Sequence, residues 1–352
     1  MNFIFMIVTI LGVPLSIIGS LLHWAAIPMF IIYCLTIIGL ASFMGRATES
    51  LAIVAGPSIG GLLNATFGNA VELIISIFAL RAGLTGVITA SITGSIIGNL
   101  LLVGGLSILV GGIRYKRQTF NIFDARHNAG VLVFAIIVSF VFPRVFASKL
   151  SDFHVELLST VIAVIMILIY LSSLFFRLVT HRGVYKNPQE ENQQPVEESP
   201  EWGAWKAVIV LAVSTILVSF ISEHLVDTIK PVAESFGWTE LFIGIIIVAI
   251  VGNAAEHASA VMMAYKNRMN VTVEIAIGST LQIAMFVAPL LVIISWAFST
   301  FLPLVFPVPE LIAMVLAVLL TISITSDGDT NWFEGAMLLA AYIIMGFGFY
   351  LL

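Results

Sequence analysis

Apolar residues run along this chain in blocks of about 20, separated by short polar stretches. About 20 consecutive apolar residues are what an α-helix needs to cross a hydrocarbon core. The blocks are continuous, whereas a membrane β-barrel would alternate apolar and polar positions. Eleven spans are predicted, near 2–22, 25–44, 51–80, 85–112, 128–148, 153–178, 204–224, 239–265, 271–299, 309–326 and 333–351. The third contains "GPSIGGLLNATFGN", with Gly56, Pro57, Gly60, Gly61 and Gly68, and is expected to be broken or kinked. In a membrane such glycines allow close packing or leave backbone carbonyls free over a cavity.

Composition agrees with the pattern. The chain is 60% hydrophobic and 10% charged, with a mean hydropathy of +1.09. A soluble protein of 352 residues would need far more charge to cover its surface. The expected fold class is an all-α polytopic membrane protein. Residues 2–22 contain neither Lys nor Arg, so they are read as a retained first helix rather than a cleaved signal. The one cysteine, Cys34, can form no internal disulfide.

Charge distribution supplies an orientation. Alternating loops place Arg46, Arg114, Lys116, Arg117, Arg126, Arg177, Arg182, Lys186, Lys206, Lys266 and Arg268 on one side. Only Arg81, Arg144, Lys149 and Lys230 fall on the other. That bias predicts a cytoplasmic N-terminus and an external C-terminus, and the compactness of the chain suggests a bacterial plasma membrane. The hydrophilic residues 179–203 carry Glu190, Glu191, Glu197, Glu198 and Glu201 and are read as an acidic cytoplasmic linker. A sharper reading has this segment docking on the cytoplasmic mouth in response to Ca²⁺ or pH.

The chain also repeats itself. Laying 65–104 on 249–288 without a gap gives nine identities in 40 positions, among them Gly-Asn-Ala-x-Glu and Gly-Ser. Glu72 therefore corresponds to Glu256, and Gly94-Ser95 to Gly278-Ser279. Upstream, "TESLA" at 48–52 resembles "SEHLV" at 222–226. The expected organisation is an extra helix, 1–22, a first five-helix repeat, 25–178, the linker, and a second five-helix repeat, 204–352. Five is odd, so the second repeat enters the membrane from the opposite face. Inverted repeats are common in secondary transporters, with substrate held near the midplane, although channels can carry them too.

Intramembrane carboxylates are costly and by default functional. No Lys or Arg lies in the middle of a predicted span to pair with Glu72 or Glu256. Residues three apart share a helix face, so Asn69 is expected beside Glu72 and Asn253 beside Glu256. Gly68 and Gly252, four residues before each Glu, relieve that face of bulk. Inversion is then expected to bring both faces together, with Ser95 and Ser279 on the following helices as further oxygen donors or as packing residues. Helix–helix hydrogen bonding is a serious rival role for both asparagines. Such an oxygen-rich, thiolate-free set suits a hard cation: Ca²⁺ takes 6–8 oxygens at about 2.3–2.6 Å. Loss of water and mutual repulsion favour the neutral carboxyl, so protons compete with Ca²⁺ for the same pair. His257 points about 100° away from Glu256 on a helix and is assigned to support or gating. Glu49, Glu223 and Glu274 are assigned to the mouths, Glu49 and Glu223 at the ends of equivalent helices.

At these residues the chain resembles the calcium/proton exchanger family of the Ca²⁺:cation antiporter superfamily. "GNAVEL" and "GNAAEH" resemble its paired motifs, and "GRATESLA" and "SDGDTNWFEGAMLLAAYI" resemble its other signatures. The resemblance implies Ca²⁺ binding by Glu72 and Glu256, with amide help from Asn253 and Gln282. It also implies that the second and seventh spans slide over the central helices. Sodium/calcium exchangers place an acidic or amide residue 27 positions after each motif Glu; here those positions are Asn99 and Ile283. Ile283 removes a carboxylate, which favours protons as the counter-ion.

The expected function is thus a secondary active Ca²⁺/H⁺ antiporter, not an enzyme, with no cofactor beyond its transported ions. The expected partners are the lipid bilayer, Ca²⁺ and protons; a homo-oligomer is compatible, and a nucleic acid is not expected. The rivals are an antiporter of the same fold using Na⁺ or carrying Mn²⁺ or another divalent metal, and a cation channel.

Overall fold

The computed structural model describes residues 2–181 and 199–352. It is a helical polytopic membrane protein. In chain order the helices are α1 (Asn2–Leu21), α2 (Ala26–Ala55), α3 (Pro57–Phe67), α4 (Ala70–Arg81), α5 (Thr85–Tyr115) and α6 (Ile122–Ala147). They continue as α7 (Asp152–Thr180), α8 (Ala204–Phe236), α9 (Glu240–Tyr265), α10 (Met269–Ser295), α11 (Val308–Thr325) and α12 (Trp332–Leu351). Among the described residues, ten are long and apolar enough to cross a membrane. The remaining predicted span, 51–80, is delivered as the short pair α3 and α4.

That span is interrupted twice. Gly56 has φ +81°, a conformation that glycine adopts without steric cost, and it separates α2 from α3. Gly68 and Asn69 then separate α3 from α4, Asn69 having φ −103° and ψ 27°. Residues 51–55 belong to α2 rather than to the third span.

Two helices run well past their predicted ends: α2 reaches Ala55 instead of 44, and α8 reaches Phe236 instead of 224. The overruns read as polar in sequence, but Ala47, Thr48 and Ser50 in one, and Leu225, Val226, Thr228 and Ile229 in the other, are buried. Packing of one face carries the helix onward after hydropathy has fallen. Glu49 and Glu223 therefore lie inside helices, a correction to their placement at helix ends.

Stretches of π-helix interrupt the long helices at Gly98–Val103, Ile137–Val141, Phe176–Thr180, Ile243–Val248 and Ile283–Val287. Two of these occupy equivalent places in the repeats, directly after the Gly-Ser pairs in α5 and α10. Such bulges are frequent at functional sites. A short antiparallel pair joins β1 (Gln118–Thr119) to β2 (Asp329–Thr330), with Gln118 opposite Thr330.

The chain divides into two compact units that cut across the repeats. One comprises Met1–Gly94, Ser199–Ala255 and Gly348–Leu352; the other comprises Ser95–Glu198 and Glu256–Phe347. In the first unit α2 packs on α1, α3 and α8, and α8 also packs on α4. In the second, α10 packs on α6 and α7, and α6 on α11. Within this unit the end of α5 also seats against α12 through glycine: a Cβ on Gly105 would lie 2.9 Å from Leu338 Cβ, and one on Gly112 would lie 2.7 Å from Trp332 Cα.

Four ion pairs join described residues. Arg46–Glu201 and Arg81–Glu223 (each 3.0 Å) lie in the first unit; Arg177–Glu274 (3.2 Å) and Arg117–Asp329 lie in the second. Every pair joins groups that the alternation of loops assigns to one side of the membrane. This supports the span order independently of hydropathy. Of the acidic linker, 182–198 lie outside the described residues, including Glu190, Glu191, Glu197 and Glu198. Glu201 is described, and its partner Arg46 is stacked over Phe43 and Trp202.

Candidate functional site

In the first unit the candidate residues are Gly68, Asn69, Glu72, Gly252 and Asn253. Glu72 occupies the first turn of α4 and is buried, 5% exposed. The opening N–H groups of a helix have no intrahelical partners, so Glu72 sits where backbone donors are available. Asn69, also buried, stands just ahead of that helix. The expectation of one regular helical face shared by Asn69 and Glu72 is corrected: the helix starts between them, at Ala70.

Asn253 lies inside α9 and is 1% exposed; its amide nitrogen donates to the Ala249 carbonyl, 2.9 Å. Gly252 has a different role from the one expected. Rather than clearing space for its own repeat's Glu256, it admits the side chain of Glu72. A Cβ at Gly252 would lie 2.9 Å from Glu72 Cγ, 3.1 Å from Cδ and 3.3 Å from Oε1. The first repeat's carboxylate thus rests on the backbone of the second repeat's motif helix. Close approach of α5 and α9 in this unit also depends on glycine: a Cβ at Gly94 would collide with the backbone of Ile245, and one at Gly244 would lie 2.6 Å from Ala90 Cβ.

In the second unit the candidates are Ser95, Asn99, Glu256, His257, Ser279 and Gln282. Four of them form a hydrogen-bonded chain. His257 Nε2 lies 3.2 Å from Asn99 Oδ1, an atom that only accepts, so Nε2 carries the proton. Asn99 Nδ2 donates to Ser279 Oγ, 3.0 Å. Ser279 in turn hydrogen-bonds the Glu256 carboxylate. Each donor points one step closer to Glu256. The other oxygen, Oε2, is buried and has no hydrogen-bond partner. A buried carboxylate oxygen without a donor is costly unless a cation or a proton meets it.

Asn99 is the second residue of the π-helical stretch of α5, and Gln282 immediately precedes that of α10. The wider turn leaves backbone carbonyls out of regular register; one of them, Ala284 O, accepts from the fully buried Ser139, 3.1 Å. Ser95 is buried, 2% exposed. Glu274 is exposed and paired with Arg177, away from this chain of contacts. Glu310, in the first turn of α11, is 0% exposed and was missed by the sequence reading. It stands at the very start of the predicted span 309–326, where a carboxylate draws no notice. The warning sign was that the block closes around it on both sides.

The likeness to known proteins bears on what this arrangement is for. A family model described as "sodium/calcium exchanger protein" matches residues 25–179 and 206–351. The chain belongs to this family. It is 65% identical over 352 residues to the Ca(2+)/H(+) antiporter ChaA of Bacillus subtilis, covering all of both chains. It is 43% identical to the Ca(2+)/H(+) antiporter of Aphanothece halophytica, covering 97% of this chain and 95% of that one. Among solved structures, native YfkE matches with TM-score 0.88 and 60% identity, over 99% of this chain and 100% of that one. The H+/Ca2+ exchanger CAX matches with TM-score 0.70 at 16% identity, over 99% of this chain and 92% of that one, a likeness of fold. Members of this family fold as helical membrane proteins.

Proposed function

We propose that this chain is a Ca²⁺/H⁺ antiporter of the plasma membrane, extruding cytosolic Ca²⁺ at the expense of the inward proton gradient. Full-length likeness to the Bacillus subtilis antiporter supports the reaction class. The contact of Glu72 with Gly252 carries the choice of residues, because it ties one repeat's carboxylate to the other repeat's motif. Glu72 and Glu256 alternately bind Ca²⁺ and protons, with oxygen donors drawn from Asn69, Asn253, Gln282, Ser95 and Ser279. The Asn99–Ser279 bond orients the hydroxyl toward Glu256, and His257 holds Asn99 from behind.

Access alternates: Ca²⁺ loads from the cytoplasm, protons displace it on the outside, and the protonated carboxyls return. Two carboxylates that release one Ca²⁺ need about two protons to stay neutral, which sets the minimum exchange ratio by charge balance. The N-terminus and linker are cytoplasmic and the C-terminus external, as the loop charges indicate.

The test is ⁴⁵Ca²⁺ uptake by proteoliposomes under an imposed pH gradient. Uptake is expected to follow the gradient and to stop when an ionophore collapses it. Uptake that persists and follows Na⁺ instead would replace the proton by sodium. Ca²⁺ flux with no opposing proton flux would identify a channel.

A further inference from the structure

Outside the candidate site, the second unit carries a cluster of cations at the end of α5. Arg114 is exposed, and its guanidinium lies 4.1 Å from the ring centroid of Tyr265 and 5.3 Å from that of Tyr115. The two tyrosines are tied by a hydrogen bond from Tyr115 Oη to the Tyr265 carbonyl, 3.2 Å. Lys266 follows Tyr265 directly, and Lys116 follows Tyr115. Both are exposed, and neither they nor Arg114 form an ion pair with any described carboxylate. The neighbouring Arg117, by contrast, is neutralised by Asp329.

The geometry around these three cations is fixed rather than floppy. Gln118 Nε2 donates to the Ala264 carbonyl and to Asn267 Oδ1, each 2.9 Å, pinning the chain after α5 to the end of α9. Gly112 brings α5 against the start of α12, which sets Trp332 beside the cluster. Large apolar groups lie exposed at the same end: Ile113, Phe123, Trp332 and Phe333. Cations with no described carboxylate partner, bordered by exposed aromatic and aliphatic side chains, fit the pattern of a membrane–water boundary. The cations then lie at headgroup depth while the apolar groups reach into the acyl region.

We propose that Arg114, Lys116 and Lys266 form a binding site for the phosphate headgroup of an anionic phospholipid in the host bilayer. The two tyrosine rings against the Arg114 guanidinium hold it in one orientation, so its N–H donors are presented to the phosphate without first having to be ordered. The lysines add charge on either side. Tyr265 is the last residue of α9, so a headgroup seated here contacts the end of the helix that carries Glu256.

The test measures lipid retained by the purified full chain after exchange from phosphatidylglycerol into phosphatidylcholine micelles, independently of transport. Wild-type protein is expected to keep phosphatidylglycerol in preference to phosphatidylcholine. Each cation near an anionic surface contributes enough that removing one weakens retention roughly fivefold. R114Q, K116Q and K266Q are expected to do so singly, and the triple variant to lose the preference. Arg114→Lys keeps the charge without the stacked fork and should fall between wild type and R114Q. Removing the same kind of charge elsewhere, in R144Q/K149Q, is expected to change nothing. Equal retention of both lipids by wild type, or retention by the triple variant equal to wild type, would overturn the assignment. So would release of the lipid by inorganic phosphate at a concentration where chloride has no effect, which would make this a site for free phosphate.

Discussion

The two Gly-Asn-Ala-x-Glu segments share their letters but not their backbones. In the first, the helix is broken at Gly68–Asn69 and Glu72 stands in the opening turn of α4. In the second, Gly252, Asn253 and Glu256 lie within one unbroken α-helical stretch, Ala249–Tyr265. The residues upstream account for the difference. Gly60, Gly61, Asn64 and Thr66 precede the first motif, a run of poor helix formers. An Ile- and Val-rich run precedes the second, and it is packed, with Ile243, Ile245 and Val248 buried. There the chain widens into π-helix at Ile243–Val248 without a break. An inverted repeat therefore does not give two copies of one half-site. It gives one carboxylate in the opening turn of a helix, seated against Gly252, and another reached by a side-chain relay.

The largest effect expected from this comparison is common to both halves. Glu72→Gln and Glu256→Gln keep the shape and remove the charge, and each is expected to abolish exchange in proteoliposomes while the protein still elutes as a folded species. Exchange retained by either single variant would remove that residue from the proposed site, and would show that the two supports are not equivalent in function.

Gly252→Ala addresses the contact that joins the repeats. The new methyl would meet Glu72 Cγ at 2.9 Å. Overpacking of this kind costs about 1–3 kcal/mol, so exchange should fall roughly five- to 150-fold by the ordinary conversion of free energy to rate. The defect should be read as weaker Ca²⁺ dependence rather than as loss of folded protein. Unchanged Ca²⁺ dependence would mean that Glu72 does not need its seat on α9.

The relay in the second unit should matter less. Asn99→Leu removes both the acceptor for His257 and the donor to Ser279, and an intramolecular hydrogen bond is worth about 0.5–1.5 kcal/mol net. Exchange is expected to fall by roughly an order of magnitude, with Ser279→Ala giving a similar loss and the double variant little more. A fully additive double variant would show that the two residues act separately and that no relay reaches Glu256.

Much of this was legible in the sequence, and what was missed has specific causes. Hydropathy located the spans because lipid-facing and buried residues are both apolar. It ended α2 and α8 too early because 45–55 and 225–236 mix polar residues into a buried face. The repeat offset singled out Glu72, Glu256 and the Gly-Ser pairs as candidates, since identities at a fixed spacing survive even in so apolar a chain. It could not find that Gly252 serves Glu72 rather than Glu256. Contacts across a repeat depend on how helices cross, and no spacing within one helix reports that. The break between Asn69 and Glu72 was half-visible: the glycines announced an interruption, but not its position between the two residues assigned to one face.

The smallest effect tests whether even the matched glycines are equivalent. Gly94 and Gly278 occupy the same repeat position, yet a Cβ at Gly94 would strike the Ile245 backbone while one at Gly278 would meet nothing within 4 Å. Backbone cannot yield as a flexible side chain can, so Gly94→Ala is expected to destabilise by about 1–3 kcal/mol. Gly278→Ala sits in open space inside a helix, where alanine is favoured over glycine by up to about 1 kcal/mol. Thermal unfolding in detergent should therefore move in opposite directions for the two substitutions. Equal destabilisation would mean that the second Gly-Ser pair is packed as tightly as the first, and that the asymmetry of the two halves ends at the motif helices rather than extending to the helices that follow them.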